Sequence, residues 1–146
     1  PLFFYDPVRK VCALSHGGWR GTAGDIAGKT VSLMVERFHS RREDILGAIG
    51  PAIGLMDFEV GKEVIDAMRP LFSREEWPSL FREKGDGKYL FGLAEANHYL
   101  MRKAGLLENH IEACHISTWT DNDFFYSYRK EKGKTGRHMA VLMMEP

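Results

Sequence analysis

The segment Ser15-His16-Gly17-Gly18-Trp19-Arg20-Gly21-Thr22 puts an imidazole, a guanidinium and three glycines within eight residues. Glycines at that density let backbone approach a ligand closely, and a helix starting directly after them would aim free N–H groups at an anion. His16 has two chemical uses in such a place, as a metal ligand through a neutral ring nitrogen or as a general base near neutral pH. The plainer alternative is a hydrogen-bonding loop residue. Further along, Arg129 in Ser127-Tyr128-Arg129 and Arg137 in Thr135-Gly136-Arg137 carry the planar donor fork that grips phosphate or carboxylate with two bonds. They flank Lys130-Glu131-Lys132, so a solvated basic loop is the competing reading.

A second glycine-rich stretch, Gly50-Pro51-Ala52-Ile53-Gly54, leads to Phe58-Glu59-Val60-Gly61. It lacks the strand-GxGxxG-helix context and the Lys-Ser/Thr ending of a nucleotide loop, which leaves either a tight turn or a ligand-facing loop. Glu59 is the acid of this stretch, suited to a hydroxyl or proton contact. Trp19, Trp119, Phe124 and Phe125 have the flat faces to stack on a heterocyclic base, or simply fill a core. His39, His98, His110, His115 and His138 form no HxxxH, HExxH or CxxC pattern, so no complete zinc site can be assembled from spacing.

The elements that must position these groups follow from hydrophobic period. Leu2–Tyr5 and Lys10–Ser15 are β-favouring runs across an Asp6-Pro7 turn, a hairpin. Ile26, Val31, Met34, Val35 and Phe38 recur at helical spacing and predict a helix from about Ala23 to His39. Asp44–Ile49 reads as a buried strand stopped by Gly50-Pro51, and Lys62–Phe72 as a helix. Ser73 to Glu76 has capping-box spacing and opens another short helix. Glu83–Lys88 reads as a polar loop, and Leu93–Ala104 as a helix closed by Gly105. Ile111–Ser117, Phe124–Tyr128 and Met139–Met144 read as strands. Strands and helices interleave without a βαβ period, which predicts an α+β fold with a mixed β-sheet and flanking helices.

At 146 residues, 44% of them hydrophobic, the chain is expected to form one domain spanning residues 1–146. Twenty basic residues balance twenty acidic ones, so there is no global field to hold a polyanion, and nucleic acid is not an expected partner. No apolar run approaches the ~20 residues of a membrane span. Cys12 and Cys114 each sit in an apolar run, as reduced buried thiols do, which points to the cytoplasm. The chain opens at Pro1 directly into an apolar strand, read as a cut edge.

Taken together and in this order, these clusters resemble the family once called multicopper polyphenol oxidases or laccase-domain proteins, now regarded as purine nucleoside phosphorylases with adenosine deaminase and methylthioadenosine phosphorylase activity. The resemblance runs from Phe4-Tyr5-Asp6 through His16-Gly17-Gly18-Trp19-Arg20-Gly21-Thr22, Ala48-Ile49-Gly50-Pro51-Ala52-Ile53-Gly54 and Phe58-Glu59-Val60-Gly61 to Phe125-Tyr126-Ser127-Tyr128-Arg129 and Thr135-Gly136-Arg137. It implies an αββα arrangement similar to that of certain toxin deamidases. It also implies a zinc ion held by two histidines and a cysteine, of which His16 matches the last. The other two ligands would belong to Val-His-Gly and Ala-Asp-Cys motifs in an N-terminal part before Pro1.

On that resemblance the substrates are purine nucleosides (adenosine, inosine, methylthioadenosine) and phosphate. His16 and Arg20 are the expected catalytic pair, and Arg129, Arg137 and Glu59 the substrate contacts. Three departures stand out: Leu55-Met56 and Ser117-Thr118-Trp119-Thr120 where members often carry cysteines, and Gly92 where an Asp is usual. The cysteine departures touch no zinc ligand and speak against a multicopper site. A copper-dependent polyphenol oxidase and a protein that edits or binds peptidoglycan precursors are the alternative readings.

Overall fold

Leu2, Phe4 and Asp6 are buried while Phe3 and Tyr5 are less so, the period of two expected of a strand with one covered face. In the computed structural model, which describes residues 1–145, this is β1 (Leu2–Asp6). It pairs antiparallel with β2 (Val11–Ser15), with Phe3 opposite Leu14 and Tyr5 opposite Cys12. The turn between them is held by Asp6, whose Oδ1 accepts the N–H groups of Val8 and Arg9, each at 2.9 Å.

The helix expected from Ala23 to His39 is α2 (Ile26–Phe38), and a separate short helix, α1 (Trp19–Ala23), precedes it. Asp25 separates them because it sits at φ 50°, a left-handed conformation that cannot continue a right-handed helix. Its carboxylate accepts the N–H of Gly28 at 3.1 Å and caps α2. A 3₁₀ turn over Arg42–Asp44 takes the start of the next expected strand, leaving β3 as Leu46–Ile49.

After the short β4 (Glu59–Val60), α3 covers Lys62–Met68. The expected continuation to Phe72 becomes a 3₁₀ turn at Arg69–Leu71, since Pro70 has no N–H to extend the α-helical ladder. The capping contact is made, with Glu76 Oε2 accepting the Ser73 N–H at 2.7 Å, yet the helix it precedes, α4 (Trp77–Leu80), is a single turn. The polar Glu83–Lys88 stretch is a hairpin rather than a loop, joining β5 (Phe81–Gly85) to β6 (Lys88–Phe91). Asp86 at φ 52° and Gly87 at φ 70° are its two turn residues, the pair of positive angles that suits the strand twist.

The long helix α5 (Leu93–Lys103) ends before Gly105, which lies at φ 103°, and β7 (Ile111–Ala113) follows. The strands form a mixed four-stranded sheet in the order β2-β1-β3-β7, with β7 parallel to β3, and a separate antiparallel sheet in the order β4-β6-β5. The fold is α+β, with two sheets where the sequence predicted one. Helices α2 and α5 pack on each other and on the larger sheet through Ala27, Val31, Met34, Leu100 and Met101. A Cβ at Gly47 would stand 2.9 Å from Leu106 Cδ2 and 3.0 Å from Met101 Sδ, so glycine there allows the close approach to β3. The smaller sheet carries an aromatic pile, Trp77 on Phe81 with centroids 4.5 Å apart and Phe81 on Phe91 at 4.7 Å.

Beyond β7 the expected strands change most. Ile111–Ser117 is strand only to Ala113, continued by one parallel bridge between Ala52 and Ser117. Phe124–Tyr128 and Met139–Met144 lie in turns and irregular chain. Phe124 is 87% exposed and Met139 85%, so neither run has a covering layer, and β propensity does not make a strand without cross-strand partners. The cysteines are free, but neither is buried as expected: Cys12 is half-buried on β2, and Cys114, which follows the end of β7, is exposed. No helix among the described residues is long and apolar enough to cross a membrane.

Candidate functional site

His16 stands at the end of β2, where the chain leaves the larger sheet and enters α1 through Gly17 and Gly18. The ring is exposed and folds over Gly18, whose added Cβ would lie 2.8 Å from His16 Nε2. A Cβ at Gly21 would lie 2.5 Å from the His16 carbonyl oxygen, and one at Gly17 would strike Leu2 Cδ1 at 2.9 Å. The three glycines therefore serve close packing around His16, with its own helix on one side and β1 on the other. Beneath the loop, the Thr22 hydroxyl lies 3.2 Å from the Gly17 oxygen and 3.1 Å from the Gly18 oxygen. The amide of Asn97, on α5, reaches the Gly17 oxygen at 3.3 Å and Thr22 Oγ1 at 3.0 Å.

This loop forms one wall of a cleft of about 700 Å³. Pro51, Ala52 and Ile53 line it from the Gly50–Gly54 stretch, and Tyr126, Tyr128, Arg137 and His138 from the C-terminal segment. The His138 and Tyr126 rings are stacked, with centroids 6.4 Å apart and planes 7° from parallel. Gly136 lies on the Tyr126 face, where a Cβ would come within 2.6 Å of the ring. Glu131 holds the segment together: one carboxylate oxygen accepts from the Ser127 N–H at 2.8 Å and from Asn122 Nδ2 at 2.9 Å. These bonds, led by that from Ser127, lower its pKa below the usual carboxylate value.

Glu59 and Arg129 lie in a second, smaller hollow of about 260 Å³, lined also by Trp19, Phe58 and Lys88. The Glu59 carboxylate accepts from Lys84 at 2.6 Å and Lys88 at 2.8 Å, and those two hydrogen bonds lower its pKa to about 2. It is ionised at neutral pH and so accepts hydrogen bonds rather than donating them, and the lowered pKa makes it a poor proton acceptor. Arg129 donates to the Glu59 main-chain oxygen at 2.6 Å and lies 5.2 Å from the Phe58 ring centroid.

Of the residues picked out from the sequence, His16 and Arg137 share the large cleft, while Glu59 and Arg129 share the small hollow. Arg20 lines neither; it is exposed, its guanidinium 4.5 Å above the neighbouring Trp19 ring. The two concavities adjoin, since Gly18 lines one and Trp19 the other, as do Tyr128 and Arg129. None of Arg20, Arg129 and Arg137 is in an ion pair among the described residues, so their charges are available to an anion. Helix α1 is five residues long, so any anion at its start meets far less aligned backbone than the single long helix promised. Sequence reasoning missed His138 and Asn97 as site residues. The first had only its place after Thr135-Gly136-Arg137 as a signal, and the second had none beyond being a polar residue on the apolar face of α5.

For a metal, the donor set is the test. Among the described residues no group of three or more His, Cys, Asp and Glu side chains is placed to hold an ion. His16 is an exposed imidazole, and the described residues do not complete a zinc or copper cage around it.

Comparison with known proteins adds a context to this geometry. The chain is 39% identical over 142 residues, 97% of its length and 52% of the relative's, to purine nucleoside phosphorylase YlmD of Geobacillus stearothermophilus. It is 33% identical over 145 residues to the Bacillus subtilis protein of the same name, covering 99% of this chain and 51% of that one. The crystal structure of the Geobacillus stearothermophilus protein superposes with a TM-score of 0.88 at 40% identity, covering 93% of this chain and 50% of that one. A Neisseria meningitidis protein superposes with a TM-score of 0.79 at 29% identity, over 92% and 52% of the two chains. The chain thus spans about half the length of the curated bacterial relatives it matches. A family described as multi-copper polyphenol oxidoreductase laccase matches residues 1–145, and the chain belongs to that family.

Proposed function

We propose that the protein carrying this chain cleaves purine nucleosides with phosphate, and that the cleft between the His16 loop and Arg137 is where it does so. The observation that carries the reading is the meeting, in one cleft of about 700 Å³, of a glycine-packed imidazole, a guanidinium and a stacked Tyr126–His138 pair. The names of the similar proteins support the same chemistry. The size falls in the range of small-molecule sites, which hold ~300–1,000 Å³.

In phosphorolysis a phosphate oxygen bonds to the ribose anomeric carbon as the bond from that carbon to the purine nitrogen breaks. The products are ribose 1-phosphate and free purine. Arg137 holds the anion near the reacting carbon, where the negative charge of phosphate stabilises the positive charge that develops on ribose. Tyr126 and His138 provide a flat wall for the purine. Arg129 lines the adjoining hollow, Arg20 lies outside both concavities beside Trp19, and Glu59, fixed between two lysines, accepts a hydrogen bond from a substrate hydroxyl there.

The zinc ion belongs to the proposal as a component of the whole protein, with His16 one of its ligands. When bound, zinc supplies Lewis acidity and a hydroxide source near neutral pH, the chemistry that deamination of adenosine would draw on. The described residues do not complete its site, and the roles assigned to Arg137, Tyr126 and His138 do not depend on it.

The test is base release from inosine by the protein, with and without phosphate. Hypoxanthine release that requires phosphate, and that falls in Arg137→Ala, supports the reading. Phenol oxidation that requires copper, or binding of peptidoglycan precursors without nucleoside turnover, would replace it.

A further inference from the structure

Asn97 is 1% exposed and Thr22 fully buried, and neither side chain reaches solvent. Buried amides and hydroxyls persist where their bonds are satisfied, and the satisfaction here has a direction. Asn97 Nδ2 lies 2.8 Å from the Leu93 oxygen and 3.3 Å from the Gly17 oxygen. Two carbonyls facing one atom require it to be the amide nitrogen, which settles the orientation of the side chain. One hydrogen goes to Leu93, and the other is shared between Thr22 Oγ1, at 3.0 Å, and Gly17. With Asn97 donating to it, the Thr22 hydroxyl sends its single hydrogen to the Gly18 oxygen at 3.1 Å or the Gly17 oxygen at 3.2 Å. Its approach to Asn97 Oδ1 is 3.3 Å, and that oxygen takes no hydrogen while the hydroxyl donates to the loop.

The result is a relay from the first turn of α5 to the two peptide groups that follow His16. A Cβ on Gly17 would lie 3.0 Å from Asn97 Oδ1, so the amide also packs against the loop. Asn97 is separated from Gly17 by 80 residues and belongs to another element, so this is tertiary positioning and not a local turn bond.

We propose that Asn97, acting through Thr22, is the positioning residue of the His16 loop. It sets the peptide planes after His16, and hence the direction in which the imidazole faces the cleft. Its link to turnover rests on the nucleoside reading above; the positioning itself does not.

The experiment compares Thr22→Val, which keeps the shape and removes the hydroxyl, Thr22→Ser, which restores the hydroxyl, and Asn97→Ala. The Gly18 and Trp19 amide shifts report the Gly17 and Gly18 carbonyl bonds, the His16 ring shifts report the imidazole, and inosine phosphorolysis gives kcat and KM. In Thr22→Val the expected results are displaced His16 ring and Gly18 and Trp19 amide signals, roughly tenfold faster exchange of the Thr22 amide, and a fall in kcat larger than the change in KM. Thr22→Ser restores all of them. Should Thr22→Val fold and leave the His16 ring and the two amides as in the parent, the positioning role is overturned whatever the activity does. Asn97→Ala carries the same reading if Thr22→Val fails to fold. Displaced signals in a protein whose parent shows no phosphorolysis support the positioning and remove only the nucleoside reading.

Discussion

A carboxylate held by two ammonium groups behaves differently from a free one, and Glu59 is such a group. Its pKa is lowered from 4.5 to about 2 by hydrogen bonds from Lys84 and Lys88. A folded-state value below the unfolded one means that the ion pairs contribute stability above about pH 4.5, and that the contribution is lost as pH falls toward 2. A carboxyl titration by NMR should give Glu59 a midpoint near 2, and Lys84→Ala should move it upward; a midpoint near 4.5 in the parent would remove the double ion pair. Arg137 makes the opposite case, because its guanidinium donates only to the main-chain oxygens of Thr135 and Gly136, at 3.4 and 3.0 Å. Arg137→Ala should therefore raise the KM for phosphate by about 10- to 150-fold, the worth of one charge-assisted bond of ~1.5–3 kcal/mol. Arg20→Ala should change it less, since Arg20 lines neither concavity; equal effects at both positions would count against the cleft assignment. His16 and Arg137, which share the cleft, were singled out in the sequence by residue type and glycine context. Asn97 was not, because a hydrogen bond across 80 residues leaves no local pattern.

At the scale of elements, what was legible followed the strength of the local rule. The first hairpin, β3 and α5 were readable because hydrophobic period and turn chemistry agreed. The short α1 was not foreseen, because Trp19-Arg20-Gly21-Thr22-Ala23 is too brief to show a helical period, although Gly24-Asp25 is the pair that permits a break before α2. The Asp86-Gly87 turn was present as a hairpin signal and was hidden by the charged residues on both sides of it. Asp25 combines a left-handed backbone with a cap on Gly28, so Asp25→Ala should cost about 1–2 kcal/mol in urea unfolding through the lost cap and the unfavourable φ. Asp25→Asn, which tolerates that conformation and still caps, should cost less. Equal losses would show that the cap is not what sets the start of α2. The C-terminal runs failed as strands for a physical reason: Phe124 and Met139 have β propensity and no partner strand or covering layer.

For the whole molecule, the core joins two sheets, and the aromatic pile on the smaller one is part of what holds it to the rest. Phe91 is fully buried between Phe81 and Phe58, so Phe91→Ala should destabilise the fold by about 3–5 kcal/mol and shift the denaturation midpoint without touching the cleft. The donor set gives a second expectation at this scale. With no group of three metal-binding side chains among the described residues, the 146-residue chain should hold well under one zinc per molecule after dialysis against the metal. A tightly bound equivalent would mean that the cleft assembles a site from residues not adjacent here. The expectation of zinc came only through resemblance, because no spacing within this chain encodes a ligand set.

The activity proposed for the His16–Arg137 cleft is phosphate-dependent cleavage of a purine nucleoside. The most direct measurement is the rate of hypoxanthine release from inosine by the protein, against phosphate concentration, for the parent, His16→Ala and Arg137→Ala. Saturable phosphate dependence in the parent, a lowered rate in His16→Ala, whose imidazole lines the cleft with Arg137, and a raised phosphate KM in Arg137→Ala are the predicted results. Release that proceeds at the same rate without phosphate, or that survives both substitutions, would contradict the account.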